Sequence, residues 1–156
     1  MFEDILHLMV NGNDIPDHPN VFYPIDKEEI LVSERRLGFQ LPGQLRIFHS
    51  EVGFGFFKSS SPKLQGVNYN YINRFLAPSQ IADLLLGSDE EAMPSEGFDQ
   101  GEIPFFEVGD GLYLIIRPSR RNPNQVCWPF GDVVANDLVE FTKRLASNPR
   151  FYHEDF

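Results

Sequence analysis

Ile103-Pro104-Phe105-Phe106-Glu107-Val108-Gly109-Asp110-Gly111-Leu112-Tyr113-Leu114-Ile115-Ile116-Arg117 decides the fold class. Two apolar runs, Ile103 to Val108 and Leu112 to Arg117, flank a Gly-Asp-Gly turn. Turn residues that tolerate positive φ between two such runs predict an antiparallel hairpin. A third strand, Gln125 to Phe130, is expected after the turn Pro118 to Asn124, which makes the middle of the chain a meander. Beyond it a closing helix is predicted from about Asp137, with Glu140 at capping-box spacing and Leu138, Phe141 and Leu145 on its apolar face.

Upstream, the periodicity changes from two to about 3.6. Phe2, Ile5, Leu6 and Met9 mark a short amphipathic helix that ends near Asn11-Gly12. Asn13 to Pro24, with Pro16, Pro19 and Pro24, is expected to be loop. Asp26 and Glu29 have capping-box spacing and open a helix that turns Ile30, Leu31 and Leu37 inward and stops at Gly38. Leu41-Pro42 starts the next helix, where proline's missing N–H costs nothing, and Leu41, Leu45, Phe48 and Val52 share one face before Gly53. Phe54 to Phe57 and Tyr71 to Leu76 read as strands, separated by the polar segment Lys58 to Asn70. Pro78, Ile81, Leu84 and Leu85, closed by Gly87, make another short helix. The expected architecture is α+β: an antiparallel sheet with helices packed mainly on one face, N-terminal helices and a closing C-terminal helix. With 156 residues and no repeats, 1–156 reads as one domain.

The run Glu34-Arg35-Arg36-Leu37-Gly38-Phe39-Gln40-Leu41-Pro42-Gly43-Gln44-Leu45, continuing to Phe48 and Glu51-Val52-Gly53, resembles the signature of the SUKH superfamily. Its elements are a helical Glu, a Leu-Gly break, a Leu-Pro helix start, an aromatic one turn on and a closing Gly, here Glu34, Gly38, Leu41, Pro42 and Gly53. The resemblance runs from about Asp26 to Asn148. That superfamily joins bacterial toxin-immunity proteins to Smi/Knr-type regulators of fungal cell-wall assembly, so the resemblance implies a protein-binding domain rather than an enzyme. Read from the residues alone, Glu34 lies four after Ile30 and three before Leu37, which puts a carboxylate on an inward face. A buried charge needs partners, and free backbone N–H groups around Gly43 and Gln44 are the nearest candidates. Glu34 is then a structural staple rather than a catalytic acid.

Composition narrows the partner. Against 13 Lys and Arg stand 23 Asp and Glu, a formal charge of -10, which argues against nucleic acid or an anionic membrane and favours a basic protein. From Phe75 to Ile116 there is no Lys or Arg, while Asp83, Asp89, Glu90, Glu91, Glu96, Asp99, Glu102, Glu107 and Asp110 supply nine acids. Such a run is either a solvated face or a docking face for a basic toxin, such as a nuclease built to attract phosphates. Asp89, Glu90, Glu91, Glu96, Asp99 and Glu102, with Tyr69 and Tyr71 as aromatic anchors, are the candidate partner contacts. The Phe54 to Phe57 group has the same two readings, anchor or core.

Catalytic and metal chemistry find no constellation. His7, His18, His49 and His153 stand far apart, and Asp14, Asp17 and His18 read as a solvated turn. Cys127, the only cysteine, rules out an intramolecular disulfide and favours a reducing compartment, and beside Trp128 it reads as an inert buried thiol. Gly53-Phe54-Gly55 follows a helix, the reverse of the nucleotide-binding order. Arg117, Arg120 and Arg121 in one turn suit an anion or simple solubility. The N-terminus Met1-Phe2-Glu3-Asp4 carries acids where a signal peptide carries bases, and no apolar run nears the roughly 20 residues of a membrane span. The expectation is a cytoplasmic, non-enzymatic binder with no cofactor or metal. An immunity protein and a regulatory scaffold for a cellular protein are the two rival roles, and an unrecognised enzyme ranks behind both.

Overall fold

A computed structural model describes residues 1–58, 71–87, 97–109, 111–119 and 121–154. Along the chain the elements are α1 (Glu3–Leu6), β1 (Val10–Asn11), β2 (Asn20–Tyr23), α2 (Lys27–Leu37), α3 (Gly43–Glu51), β3 (Phe54–Phe57), β4 (Arg74–Phe75) and α4 (Pro78–Leu86). Then come β5 (Ile103–Gly109), β6 (Leu112–Ile116), β7 (Val126–Cys127), β8 (Val133–Ala135), α5 (Leu138–Ser147) and α6 (Phe151–Glu154). The strands form one sheet in sequence order, antiparallel throughout except for the parallel pair β1 and β2. The fold is α+β, as the hairpin and the closing helix predict.

The hairpin carries the centre of the sheet. Ile103 pairs with Ile116 and Phe106 with Leu114, with two register shifts that accommodate the seven-residue β5 against the five-residue β6. Every residue of β5 is buried, so this strand has protein on both faces. Phe141 of α5 lies over it, with its ring 5.2 to 5.3 Å from Phe105 and Phe106 and 5.4 Å from Phe151 of α6. Edge-to-face rings at these distances add to the hydrophobic gain of burying each Phe.

Helix ends follow the sequence closely at two glycines. Gly38 and Gly87 both adopt the left-handed cap (φ 82° and 69°) that closes α2 and α4. Asp137 accepts the N–H of Glu140 at 2.8 Å, while the Glu140 carboxylate takes the N–H of Asn136 at 2.6 Å, so the reciprocal cap is displaced by one residue. At α2 no such box forms: the Asp26 side chain makes no cap bond, and the Glu29 carboxylate is taken instead by the Ser79 hydroxyl at 2.9 Å.

Four expectations need correction. The stretch Asn13 to Pro24 contains β2, because Val21 and Phe22 find ladder partners in Phe56 and Gly55. The strand expected over Tyr71 to Leu76 narrows to Arg74–Phe75, and that over Gln125 to Phe130 to Val126–Cys127, because only these residues stay in ladder register, while Leu76 and Gln125 add single backbone bonds to Phe105 and Arg117. Residues β8 and α6 supply were not anticipated. Leu31 points outward at 38% exposure, because α2 packs mainly along α4 and not over the sheet. The glycines at 53 and 55 are there for close approach: a Cβ would sit 2.1 Å from the Tyr23 carbonyl oxygen and 2.0 Å from that of Val21.

Candidate functional site

Glu34, Gly38, Leu41 and Pro42 converge on the join between α2 and α3, while Gly53 lies past the far end of α3 against Tyr23. Leu37 and Gly38 end one helix, the chain turns through Phe39 and Gln40, and Pro42 precedes the first residue of the next. Glu34 is buried at this join, and its Oε2 accepts the backbone N–H of Leu41 at 2.7 Å. Arg46 Nε lies 3.0 Å from the same oxygen, an ion pair whose angle falls short of a directed hydrogen bond. The carboxylate therefore staples the two helices, through Leu41 rather than through the expected Gly43 and Gln44.

Gln44 has a different task that sequence reasoning missed. Its N–H donates to Asn124 Oδ1 at 3.2 Å, and its side-chain Oε1 accepts the N–H groups of Leu138 and Val139 at 2.9 and 3.3 Å. The start of α3 thus caps the start of α5, 94 positions away in sequence. No local pattern announces a cap supplied from so far along the chain.

The acidic stretch divides. Asp89, Glu90, Glu91, Glu96 and Asp110 lie outside the described residues, as does Tyr69. Of the rest, Glu102 is buried and paired with Arg117 at 2.6 Å, which corrects its placement on a partner-facing surface. Glu107 is also buried, with Arg74 at 2.8 Å, because the register sets these two residues opposite each other on adjacent strands. Asp83 bonds Arg36 of α2 at 2.7 Å. Asp99 is exposed. Three acids of the base-free run are therefore matched by arginines from elsewhere in the chain.

The same pairing divides the arginine turn. Arg117 faces Glu102, which raises the guanidinium's pKa further above its ordinary value, and Arg120 lies outside the described residues. Tyr71 is half-buried, with its ring 6.3 Å from Tyr152 and 5.6 Å from His153, and Arg150 stands 5.7 Å over it. Phe57 is core, and Phe54 stacks on Tyr23 at 5.3 Å.

No group of three or more His, Cys, Asp or Glu that could hold a metal comes together among the described residues. His18 is engaged with the N–H of Asn20 at 3.0 Å. His49 is fully buried, with Nε2 2.9 Å from the Leu76 carbonyl oxygen and no partner for Nδ1 among the described residues, and burial pushes its pKa down to about 4. Cys127 is buried, and desolvation raises its thiol pKa despite the nearby Arg117. Among the described residues no helix is long and apolar enough to cross a membrane.

Two grooves lie beside the staple. A groove of about 730 Å³ runs between α2 and α3, lined by Ile25, Lys27, Leu31, Arg46 and Ile47 among others. A second, of about 500 Å³, lies on the other side of Leu31 and reaches Phe39. The geometry is that of a recessed protein surface around a stapled helix pair.

The model of the SMI1 / KNR4 family (SUKH-1) matches residues 24–147, which takes in both signature helices, the hairpin and α5. The chain belongs to this family. Immunity protein YxxD of Bacillus subtilis (strain 168) is 30% identical over 138 residues, covering 85% of this chain and 88% of that protein. No solved structure matches significantly. Within the SUKH-1 match fall Glu34, Gly38, Leu41, Pro42 and Gly53. In the fold, Glu34 meets the N–H of Leu41 and Gly53 approaches the Tyr23 backbone.

Proposed function

We propose that this chain is an immunity protein that binds and neutralises a cognate toxin without performing chemistry of its own. The observation that carries the reading is the similarity to an immunity protein across most of both chains, within a family match over residues 24–147. Two features support a binding role. The buried carboxylates are used in ion pairs that hold the fold together, and His49 is sealed in the core where no substrate reaches it. The finer reading is a basic toxin domain, such as a nuclease, attracted in the cytoplasm by a chain of net charge -10. Part of that charge, at Asp99 and in the run from Asp89 to Glu96, provides the candidate contacts, with Tyr71 as a further candidate.

The test is co-expression with the polypeptide encoded next to this gene. Cells should survive a toxin that otherwise stops growth, and the purified pair should associate with an affinity that falls as salt rises. Absence of both protection and association would refute the reading. The rival role, a regulator that scaffolds a cellular protein, takes its support from the Smi/Knr side of the family. It predicts housekeeping neighbours and a growth defect on deletion without any toxin present.

A further inference from the structure

We infer that the groove between α2 and α3 is a docking surface for a partner segment that presents apolar side chains together with a carboxylate. This rests on the immunity reading above and says where and how the toxin is held. The groove exists because α2 is drawn away from α3. Arg36 bonds Asp83 and Glu29 accepts from Ser79, both on α4, and α2 packs mainly along that helix. The volume, about 730 Å³, lies within the usual range of sites that enclose a ligand group. Its apolar wall is formed by Ile25, Ile30, Leu31 and Ile47, and Leu31 is left 38% exposed there.

Charge decides what fits. Lys27 is exposed on the rim and has no ion pair or side-chain hydrogen bond among the described residues. Arg46 contacts Glu34 through Nε alone, which leaves its two terminal amino groups, on a side chain 37% exposed, with no partner among the described residues. The acid on the same rim, Glu51, is already matched by the Met1 amino group at 3.3 Å. A chain of charge -10 thus keeps unmatched donors in one apolar groove. A guanidinium with two free amino groups is built to take a carboxylate in two bonds. Lys27 adds a second cation at the first residue of α2, where a base opposes the helix dipole and does nothing for the helix itself.

That last point makes the test clean, because Lys27→Glu improves the charge at the helix start and should fold at least as well as wild type. Titration calorimetry of the full chain with the toxin domain encoded beside it, comparing wild type, Lys27→Glu, Leu31→Asp and Val133→Asp, is the experiment. Lys27→Glu and Leu31→Asp are expected to weaken binding about tenfold or more, the loss of one charge-assisted contact or one apolar anchor. Val133→Asp, exposed at the far end of the sheet, should bind like wild type. Wild-type affinity in both groove variants overturns the groove and leaves the immunity reading standing. Failure of the wild-type chain to bind any such toxin overturns both. Should Leu31→Asp fold poorly, amide shifts in the labelled wild-type chain on adding toxin decide: changes concentrated in residues 27–47 support the groove, and their absence there refutes it.

Discussion

Replacing Glu34 by alanine removes the acceptor that joins α2 to α3. The consequence follows from which groups are left behind. The Leu41 N–H, in a buried residue, loses its 2.7 Å partner, and an unsatisfied buried donor costs about 1–3 kcal/mol. Arg46 loses its carboxylate as well. The Nε that faces it is buried, but the side chain as a whole is 37% exposed and its terminal amino groups stay hydrated, so the lost ion pair adds about 1 kcal/mol. The expected total is about 2–3 kcal/mol, below the roughly 3–5 kcal/mol of a fully buried broken pair because only one partner is buried. Glu34→Gln keeps an oxygen for Leu41 and should cost about 1 kcal/mol. Urea unfolding at neutral pH measures both, with an unchanged slope confirming that the native state has not loosened. A Glu34→Ala midpoint within about 0.5 kcal/mol of wild type, together with loss of toxin neutralisation, would refute the staple and give Glu34 a direct role in binding.

Two further outcomes follow from the described geometry. Gly53→Ala should cost about 3 kcal/mol or more, since φ is 108° and the new methyl meets the Tyr23 carbonyl at 2.1 Å. Gly38→Ala, with φ 82° but open space, should cost only about 1 kcal/mol, and equal thermal shifts in the two would show the close approach to be wrong. His49 stays neutral in the fold down to about pH 4 but titrates near 6.5 when unfolded, so the unfolded chain binds the extra proton between those values. Its contribution to stability is complete above pH 6.5 and is lost as pH falls towards 4, by about 3 kcal/mol in all. His49→Gln should flatten the pH dependence of the urea midpoint in that window, and an unaltered slope would count against the buried neutral imidazole.

Local signals were readable wherever a few neighbouring residues decide the outcome. The Gly109 to Gly111 turn, the left-handed caps at Gly38 and Gly87 and the buried face of Leu41, Leu45, Phe48 and Val52 all follow from backbone freedom and periodicity within a turn or two. β2 was hidden because Val21, Phe22 and Tyr23, although β-formers, make too short a run between Pro19 and Pro24 to announce a strand, and β3 supplies the edge that makes them one. For the candidate site, the burial of Glu34 was legible from its spacing, but its partner was not. Leu41 and not Gly43 meets the carboxylate because the chain between the helices turns back tightly at Phe39 and Gln40.

By itself, then, the sequence determined the α+β class, the central hairpin, the two signature helices and the excess of negative charge, since each depends on composition or on contacts between near neighbours. Only the tertiary structure decided which charges reach solvent and which surface is recessed. Glu107 is buried because the register sets it against Arg74, and Glu102 because Arg117 comes within 2.6 Å of it. Leu31 is exposed because α2 packs on α4 and not on the sheet, and the same displacement opens the groove beside Lys27 and Arg46. Such outcomes belong to pairs of elements brought together across tens of residues, where the hydrophobic effect rewards burial as a whole without specifying which polar neighbour meets which.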